Sequence, residues 1–426
     1  MKRFLALFIV FLLFSQHISA QDIKQSFEKL PSVKQVERID SDKFLDKYLL
    51  WFEQPIDHKD PSVGTFLQRV FVCCTSTDSS TVFVTEGYGA AYAERTSYRD
   101  EISALFNLNN VVAEHRYFLK SKPENVGWEY LTAENAANDY HRIITELKTI
   151  FDKKWIATGI SKGGQNSAIF TAFFPKDIDF TVPYVGPFCR KLEDGRHEPF
   201  IADFAGSRAD RRAVQDLQIE FLKRRHTILP MLDSLVKEKG YEYRIPLDEV
   251  YDMTALEFSF AFWQWGTDPS LIPGNNASDK DIFDFIVKNG GPDYWVKESD
   301  STPFYVMAAH ELGYYGYDIR PFKDYLTIKS TKGYLKRIFL PEDAKNIKFD
   351  KTLSRKMKKF LKTTDSRMLF IYGEFDPWSS VRAFEPFPEN IHLYIDPAGS
   401  HRARINTFSE STQEEIKSIL AGWLYE

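Results

Sequence analysis

Lys154-Trp155-Ile156-Ala157-Thr158-Gly159-Ile160-Ser161-Lys162-Gly163-Gly164 runs from a short apolar strand into a Gly-x-Ser-x-Gly turn, and the helix-competent segment Gln165 to Phe174 follows. That is the sequence form of a nucleophile elbow. A serine on so sharp a strand-to-helix turn needs small residues two positions either side, where the two backbones crowd. The following helix directs its positive N-terminal end at Ser161, where an oxyanion would form. A bare Gly-x-Ser-x-Gly is also compatible with an ordinary glycine-rich turn. The strand before it and the helix after it favour the elbow.

Outward from this point, residues 45–190 alternate strand-like and helix-like signals. Tyr48 to Gln54, Thr65 to Cys73, Thr81 to Thr85, Asn110 to Ala113 and Trp155 to Thr158 read as strands, rich in β-branched and aromatic residues. Thr132 to Phe151 has helical periodicity, with Ala136, Ala137, Tyr140, Ile143, Ile144 and Leu147 on one face. Phe180 to Val185, Arg367 to Tyr372 and Ile391 to Ile395 add further strands, and Gln413 to Leu424 a last helix. Such alternation predicts a mostly parallel sheet flanked by helices. Between about 190 and 345 strand signals are sparse. Ala213 to Lys239, the aromatic-rich Ala255 to Trp265 and Asp279 to Asn289 read as helices. The expected organisation is a hydrolase-type core in two parts, 21–190 and 346–426, with a helical lid inserted at 191–345.

Lys2 and Arg3, the apolar run Phe4 to Phe14 and Ile18-Ser19-Ala20 read as a cleaved export signal over residues 1–20, placing the mature chain in the periplasm or outside the cell, with an uncleaved N-terminal anchor as the alternative. Eleven apolar residues are too few to span a bilayer, and no stable membrane insertion is expected. The formal charge of −5 moves to −7 once Lys2 and Arg3 are removed. Basic clusters such as Arg208 to Arg212 and Lys223-Arg224-Arg225 fall on helical segments interspersed with acids, and nothing points to nucleic acid. Cys73, Cys74 and Cys189 have no metal-ligand spacing, and a bridge from the adjacent pair to Cys189 stays open. No metal or cofactor is expected.

A serine nucleophile requires a base to take its proton and a carboxylate to fix that base in one tautomer. In α/β-hydrolases the chain order is Ser, then Asp or Glu, then His. His17 lies in the signal; His141, His197, His226 and His310 lie in helical or lid-like segments; His392 lies inside a strand. His401 follows the last strand, in the small polar turn Asp396-Pro397-Ala398-Gly399-Ser400, where a base can reach over the sheet edge. The acid is expected at Asp376, past the strand end in Gly373-Glu374-Phe375-Asp376-Pro377-Trp378, with Glu374 and then Asp396 as competitors. The Lys162 backbone N–H is the first oxyanion donor. The second is expected from Glu86-Gly87-Tyr88-Gly89, through the Tyr88 backbone N–H or hydroxyl, with the Tyr117 hydroxyl as an alternative.

Gln54-Pro55-Ile56-Asp57-His58, Gly64-Thr65-Phe66 with Gln68-Arg69, Glu114-His115-Arg116-Tyr117-Phe118 with Ser121 and Pro123, and Tyr130-Leu131-Thr132-Ala133-Glu134 resemble segments of the prolyl carboxypeptidase and dipeptidyl peptidase II family. Asp376-Pro377-Trp378-Ser379 and Gly399-Ser400-His401 resemble that family's acid and base segments. The elbow departs from the family's usual Gly-Gly-Ser-Tyr-Gly-Gly. Gly159-Ile160-Ser161-Lys162-Gly163-Gly164, together with Glu311 to Asp318, is instead similar to the secreted PS-10 serine peptidases, the prolyl tri- and tetrapeptidyl aminopeptidases.

The resemblance covers roughly residues 45–425. It implies an exported serine exopeptidase that releases short peptides from free N-termini, with proline at the cleaved bond. Such an enzyme needs carboxylates for the substrate's α-ammonium, because a cation in a low-dielectric pocket is stable only when paired. Glu311 is the first candidate anchor, then Glu86 and Glu114; each is equally readable as a structural carboxylate. The Lys162 side chain is expected to pair with a carboxylate near the elbow. Two rivals use the same residues: an esterase or lipase, and a catalytically silent binding module of hydrolase fold. An intact Ser161, Asp376 and His401 disfavours the second.

Overall fold

A computed structural model describes residues 20–426 apart from Asn275; residues 1–19, the bulk of the expected signal, lie outside the described residues. Nine strands form one sheet: β1 (Val33–Arg38), β2 (Asp46–Pro55), β3 (Thr65–Cys74), β4 (Thr81–Thr85), β5 (Asn109–Ala113), β6 (Trp155–Ile160), β7 (Phe180–Tyr184), β8 (Arg367–Gly373) and β9 (Ile391–Asp396). Their spatial order is β1-β2-β3-β5-β4-β6-β7-β8-β9. The first three strands and the β3–β5 pair run antiparallel, and every pairing from β5 to β9 is parallel. This is an α/β-hydrolase fold. The central strands are buried on both faces, as β4, β5 and β7 show along their whole lengths, which is why they read as short unbroken apolar runs.

The exchange of β4 and β5 has a functional consequence. It makes β4 and β6 parallel neighbours, with Val84 opposite Thr158, so their C-terminal ends emerge side by side. The loop after β4 therefore lies against the serine turn after β6. The turns after β8 and β9 open at the same edge.

Helix Ala133–Leu147 buries the face expected of it, Ala136, Ala137, Tyr140, Ile143, Ile144 and Leu147, and Thr132 caps it by accepting from the Asn135 N–H. Between β7 and β8 the described chain contributes no strand to the sheet. It forms helices His197–Asp203, Arg208–Lys223, Arg225–Lys239, Leu247–Trp265, Asp279–Gly290, Thr302–Met307 and Thr352–Thr363, with short turns between them. The single long helix expected over Ala213 to Lys239 is two, broken where Arg224 leaves helical geometry at φ −86°, ψ 20°. Periodicity misses such a one-residue interruption because the apolar face resumes at Ile228 and Leu232. The aromatic helix begins at Leu247, earlier than its aromatic run suggests.

Cys73, Cys74 and Cys189 are buried free thiols, so the bridge left open by the sequence is not formed. Among the described residues no helix is long and apolar enough to cross a membrane.

Candidate active site

Ser161 stands at the tip of the turn between β6 and helix Lys162–Phe173 with φ 58° and ψ −122°. A non-glycine residue there is strained by about 1–3 kcal/mol, and the surrounding backbone must hold it. Ser161 N–H donates to the Tyr184 carbonyl at 2.9 Å, and the Ser161 carbonyl accepts from Gln165 N–H at 2.9 Å. The flanking glycines are steric requirements. A Cβ on Gly159 would lie 2.4 Å from the Gly163 carbonyl, and one on Gly163 would lie 2.8 Å from the Thr85 carbonyl.

Asp376 and His401 approach from the ends of β8 and β9. His401 Nδ1 and Asp376 Oδ2 are 2.7 Å apart, and both side chains are buried. Asp376 Oδ1 accepts from the Trp378 N–H at 3.1 Å, capping the short turn Pro377–Val381, so the carboxylate cannot rotate away. His401 Nε2 has no hydrogen-bond partner among the described residues and lines the same cleft as Ser161. The helical segment holds this loop in place: His401 N–H donates to the Gln264 carbonyl at 2.9 Å, and the Trp265 ring stands edge-on to the imidazole at 6.0 Å. Of the competing acids, Glu374 accepts from the Ala398 N–H at 2.8 Å and Asp396 from the Thr407 hydroxyl at 2.6 Å.

Lys162 opens the helix after Ser161, so its backbone N–H is one of the donors that intrahelical bonding leaves free. On the other side, Gly87 and Tyr88 both donate their backbone N–H groups to Glu86 Oε1, at 2.8 and 3.2 Å. That commits the Tyr88 N–H elsewhere and leaves the hydroxyl, which stands beside Ser161 in the cleft. Burial pushes the Tyr88 phenol above its ordinary range, so it remains a donor. Tyr117 is differently placed. Its hydroxyl donates to the Gly127 carbonyl at 2.6 Å, and its ring stacks on Trp128.

The three expected ammonium anchors also have other partners. Glu86 lines the cleft, but its second oxygen accepts from the Tyr92 hydroxyl at 2.5 Å, so both oxygens shape the loop. Glu114 is fully buried beneath it, taken by Arg69, the Ser121 hydroxyl and the Ala90 N–H. Glu311 accepts from the Ala133 N–H at 2.7 Å, capping helix Ala133–Leu147, and borders a small crevice rather than the cleft. Burial raises Glu311 to about 7.

The cleft itself has a volume of about 1140 Å³. It contains a carboxylate the sequence reading passed over: Glu257, on helix Leu247–Trp265, with Tyr294, Tyr305, Tyr314 and Tyr315 around it. Both Glu257 oxygens accept from Tyr315 hydroxyl, at 3.1 and 3.0 Å, and Oε2 also accepts from Tyr317 hydroxyl at 2.6 Å. A signal existed, since Glu257 is the one charged residue between Thr254 and Trp265.

With the geometry in place, comparison with known proteins decides the family. The model of the PS-10 peptidase S37 family matches residues 17–406. The chain belongs to that family. This S37 peptidase is 31% identical to the prolyl tri/tetrapeptidyl aminopeptidase of Streptomyces mobaraensis, an alignment covering 94% of the chain and 85% of the relative. It is also 29% identical to a probable serine protease, EDA2, of Arabidopsis thaliana, over 30% of each chain. Among solved structures, an α/β-hydrolase fold protein from Nakamurella multipartita is 13% identical with a TM-score of 0.34, covering 92% of this chain and 99% of that one. The proline iminopeptidase of Mycobacterium smegmatis is likewise 13% identical, with a TM-score of 0.36 and coverages of 88% and 97%. Family membership makes the chain a serine peptidase.

Proposed function

We propose that this S37 peptidase is exported and releases tri- or tetrapeptides from free peptide N-termini, cleaving after proline, by a Ser161-His401-Asp376 triad. The observation that carries the reading is the 2.7 Å His401–Asp376 contact, with Nε2 open to the cleft that holds the strained Ser161. With Nδ1–H donated to Asp376, Nε2 is left to accept the Ser161 proton as Oγ attacks the carbonyl carbon. Charge gathers on the carbonyl oxygen, where the Lys162 N–H and the Tyr88 hydroxyl donate. His401 then returns the proton to the leaving amine, and water repeats the sequence on the acyl-enzyme.

The exopeptidase part draws on the printed name of the Streptomyces relative and on the acidic side chains Glu86 and Glu257 in the cleft, which an ester pocket does not require. Segment 191–345 would act as the lid that limits how much peptide enters. Export draws on Lys2, Arg3 and the apolar run Phe4 to Phe14.

The test uses the purified enzyme with fluorogenic X-X-Pro amides whose amines are free or acetylated, with an organophosphonate as label. Hydrolysis of the free-amine substrate, abolished when Ser161 is labelled and indifferent to EDTA, is the expected result. Loss of activity in EDTA with recovery on zinc would overturn the mechanism, and equal hydrolysis of acetylated peptides would overturn the exopeptidase reading.

A further inference from the structure

A carboxylate enclosed in protein is stable as an anion only beside a cation. Five described carboxylates are exposed to 4% or less: Glu114, Asp139, Asp252, Asp376 and Glu257. Glu114 faces Arg69, Asp139 faces Arg116, Asp252 faces Arg225, and Asp376 faces His401. Glu257 alone of the five has neither an arginine nor the His401 imidazole beside it. Its neighbours are the hydroxyls of Tyr315 and Tyr317, and no charged side chain contributes to its titration. Unlike Glu114, Asp139 and Asp252, it also lines the cleft that contains Ser161.

Its surroundings are built to hold it still. Tyr315 is stacked on Phe260 at 3.7 Å, and its hydroxyl is shared with Tyr294, which in turn bonds Tyr314. The hydroxyl donors orient both carboxylate oxygens, and the rings of Tyr294, Tyr305, Tyr314 and Tyr315 line the same cleft. Rings of that kind add electrostatic attraction for a cation and none for an anion.

We propose that Glu257, oriented by Tyr315 and Tyr317, is the subsite that binds a substrate ammonium group, the free α-amine of the peptide. The inference rests on the exopeptidase reading and names the residue that enforces it. In the bound state the ammonium supplies the cation that the fold withholds, giving the buried carboxylate the kind of partner that Glu114, Asp139 and Asp252 have. A capped amine brings no charge and leaves Glu257 unpaired, so capped peptides are excluded by an unmet electrostatic requirement as well as by shape.

The pH behaviour has a definite sign. In the empty cleft, burial pushes Glu257 up to about 8, and the groups facing it are Tyr315 and Tyr317, with Tyr294, Tyr305, Tyr314 and Tyr334 around them and His197 behind Tyr315. A peptide α-amine titrates at about 7.7–8.0. The bound pair carries one proton fewer than two fully protonated partners and one more than two deprotonated ones. KM for free-amine peptides therefore rises on either side of a minimum near pH 8, and the acid limb belongs to Glu257.

The experiment measures kcat/KM for a free-amine X-X-Pro amide, its N-acetyl form, an N-acetyl form carrying a Lys side chain, and a small activated ester. Each is assayed on wild type, Glu257→Gln and Glu257→Met from pH 5.5 to 9. The expected result is a loss on the order of a hundredfold on the free-amine peptide in either variant, far exceeding the loss on the ester. The variants should also lose most of the free-to-acetyl preference and the acid limb of KM. Efficient hydrolysis of the acetylated Lys substrate by wild type, lost in the variants, would reassign the subsite to a side-chain ammonium and overturn the α-amine assignment. If wild type prefers free amines and both variants keep that preference, Glu257 is not the anchor although the exopeptidase reading stands. If wild type shows no preference, the exopeptidase reading itself fails. Glu257→Met covers the case in which the glutamine does not fold: it removes the buried polar head while keeping an unbranched chain of similar length, and its Tm reads the cost of leaving the Tyr315 and Tyr317 hydroxyls without that acceptor.

Discussion

The Lys162 ammonium donates a 2.7 Å hydrogen bond to the Gly87 carbonyl, joining the residue after Ser161 to the residue before Tyr88. The contact is close by construction, since a Cβ on Gly87 would meet Lys162 Cβ at 2.7 Å. Tyr88 and Phe118 present ring faces to the same cation at 5.8 and 5.5 Å. The carboxylate partner expected from the sequence is thus replaced by a backbone carbonyl and two aromatic faces, with Glu86 and Glu311 acting at longer range. Burial pushes the ammonium down to about 7, and those two carboxylates pull partly in the other direction.

Lys162→Met should fold but misplace the Gly87-Tyr88 segment, because the Gly87 carbonyl then lacks this partner. A buried group left unsatisfied costs about 1–3 kcal/mol. The expected outcome is a lower kcat at similar KM on a small ester, with Lys162→Arg failing to rescue because the fork does not fit a single carbonyl. Stability gives a second readout. An unfolded lysine titrates at about 10.4 and folded Lys162 near 7, so the folded state binds fewer protons between those values. The cost of burying the charge is present in full below pH 7 and relieved as pH rises through the unfolded value. Wild type should therefore gain Tm relative to Lys162→Met between pH 7 and 10. A constant difference would show that the folded amine titrates normally.

In the proposed mechanism Ser161 and His401 act on one proton, so Ser161→Ala, His401→Ala and the double variant should retain similar residual rates. Losses that multiply in the double variant would mean that His401 is not the base. Single-turnover assays on an activated ester make the comparison without product release.

Glu311→Ala should act on stability rather than selectivity. Its carboxylate accepts the Ala133 N–H at the start of helix Ala133–Leu147, and losing such a cap costs about 0.5–2 kcal/mol. The expected result is a lower Tm with an unchanged ratio of free-amine to acetylated rates. A collapsed ratio would return the anchor to Glu311.

The elements of the sheet were legible because the parallel strands are short apolar runs between turns, and the proposed triad residues because each follows a strand at a recognisable turn. Ser161, Asp376 and His401 needed only chain order and local context. The partners of the buried carboxylates were not legible. Glu114 meets Arg69 from 45 residues away and Glu311 meets Ala133 from 178 away, so no local spacing reports them. Glu257 was passed over for a related reason. Its aromatic helix reads as core, and only the folded cleft shows that Glu257, Ala261 and Gln264 of that helix line the space that also contains Ser161. β1 escaped notice as well, being an edge strand with one buried residue in six.

Asp139 offers the test of how the sheet edge is braced. Its oxygens accept from Arg116 Nε and Nη2 at 2.7 Å each and lie 2.7 Å from His58 Nε2, while Arg116 also donates to the carbonyls of Pro55, Ile56 and Tyr130. One fully buried arginine thus ties the end of β2 to helix Ala133–Leu147. Burial alone would raise Asp139, but Arg116 and His58 more than offset it and hold the carboxyl below its ordinary value. A depressed folded value means that the stabilisation is present above the unfolded value of about 3.9 and is lost as pH falls through the folded one. Asp139→Asn leaves Arg116 buried without a counter-charge, which costs about 3–5 kcal/mol. The variant's Tm should lie well below wild type at a constant interval from pH 7 to 5, and the interval should narrow below about pH 4 as wild-type Asp139 takes up its proton. Calorimetry across pH 3–7 reads this directly. An interval that widens in acid would mean that Asp139 is already neutral in the fold and that Arg116 is balanced by the three carbonyls alone.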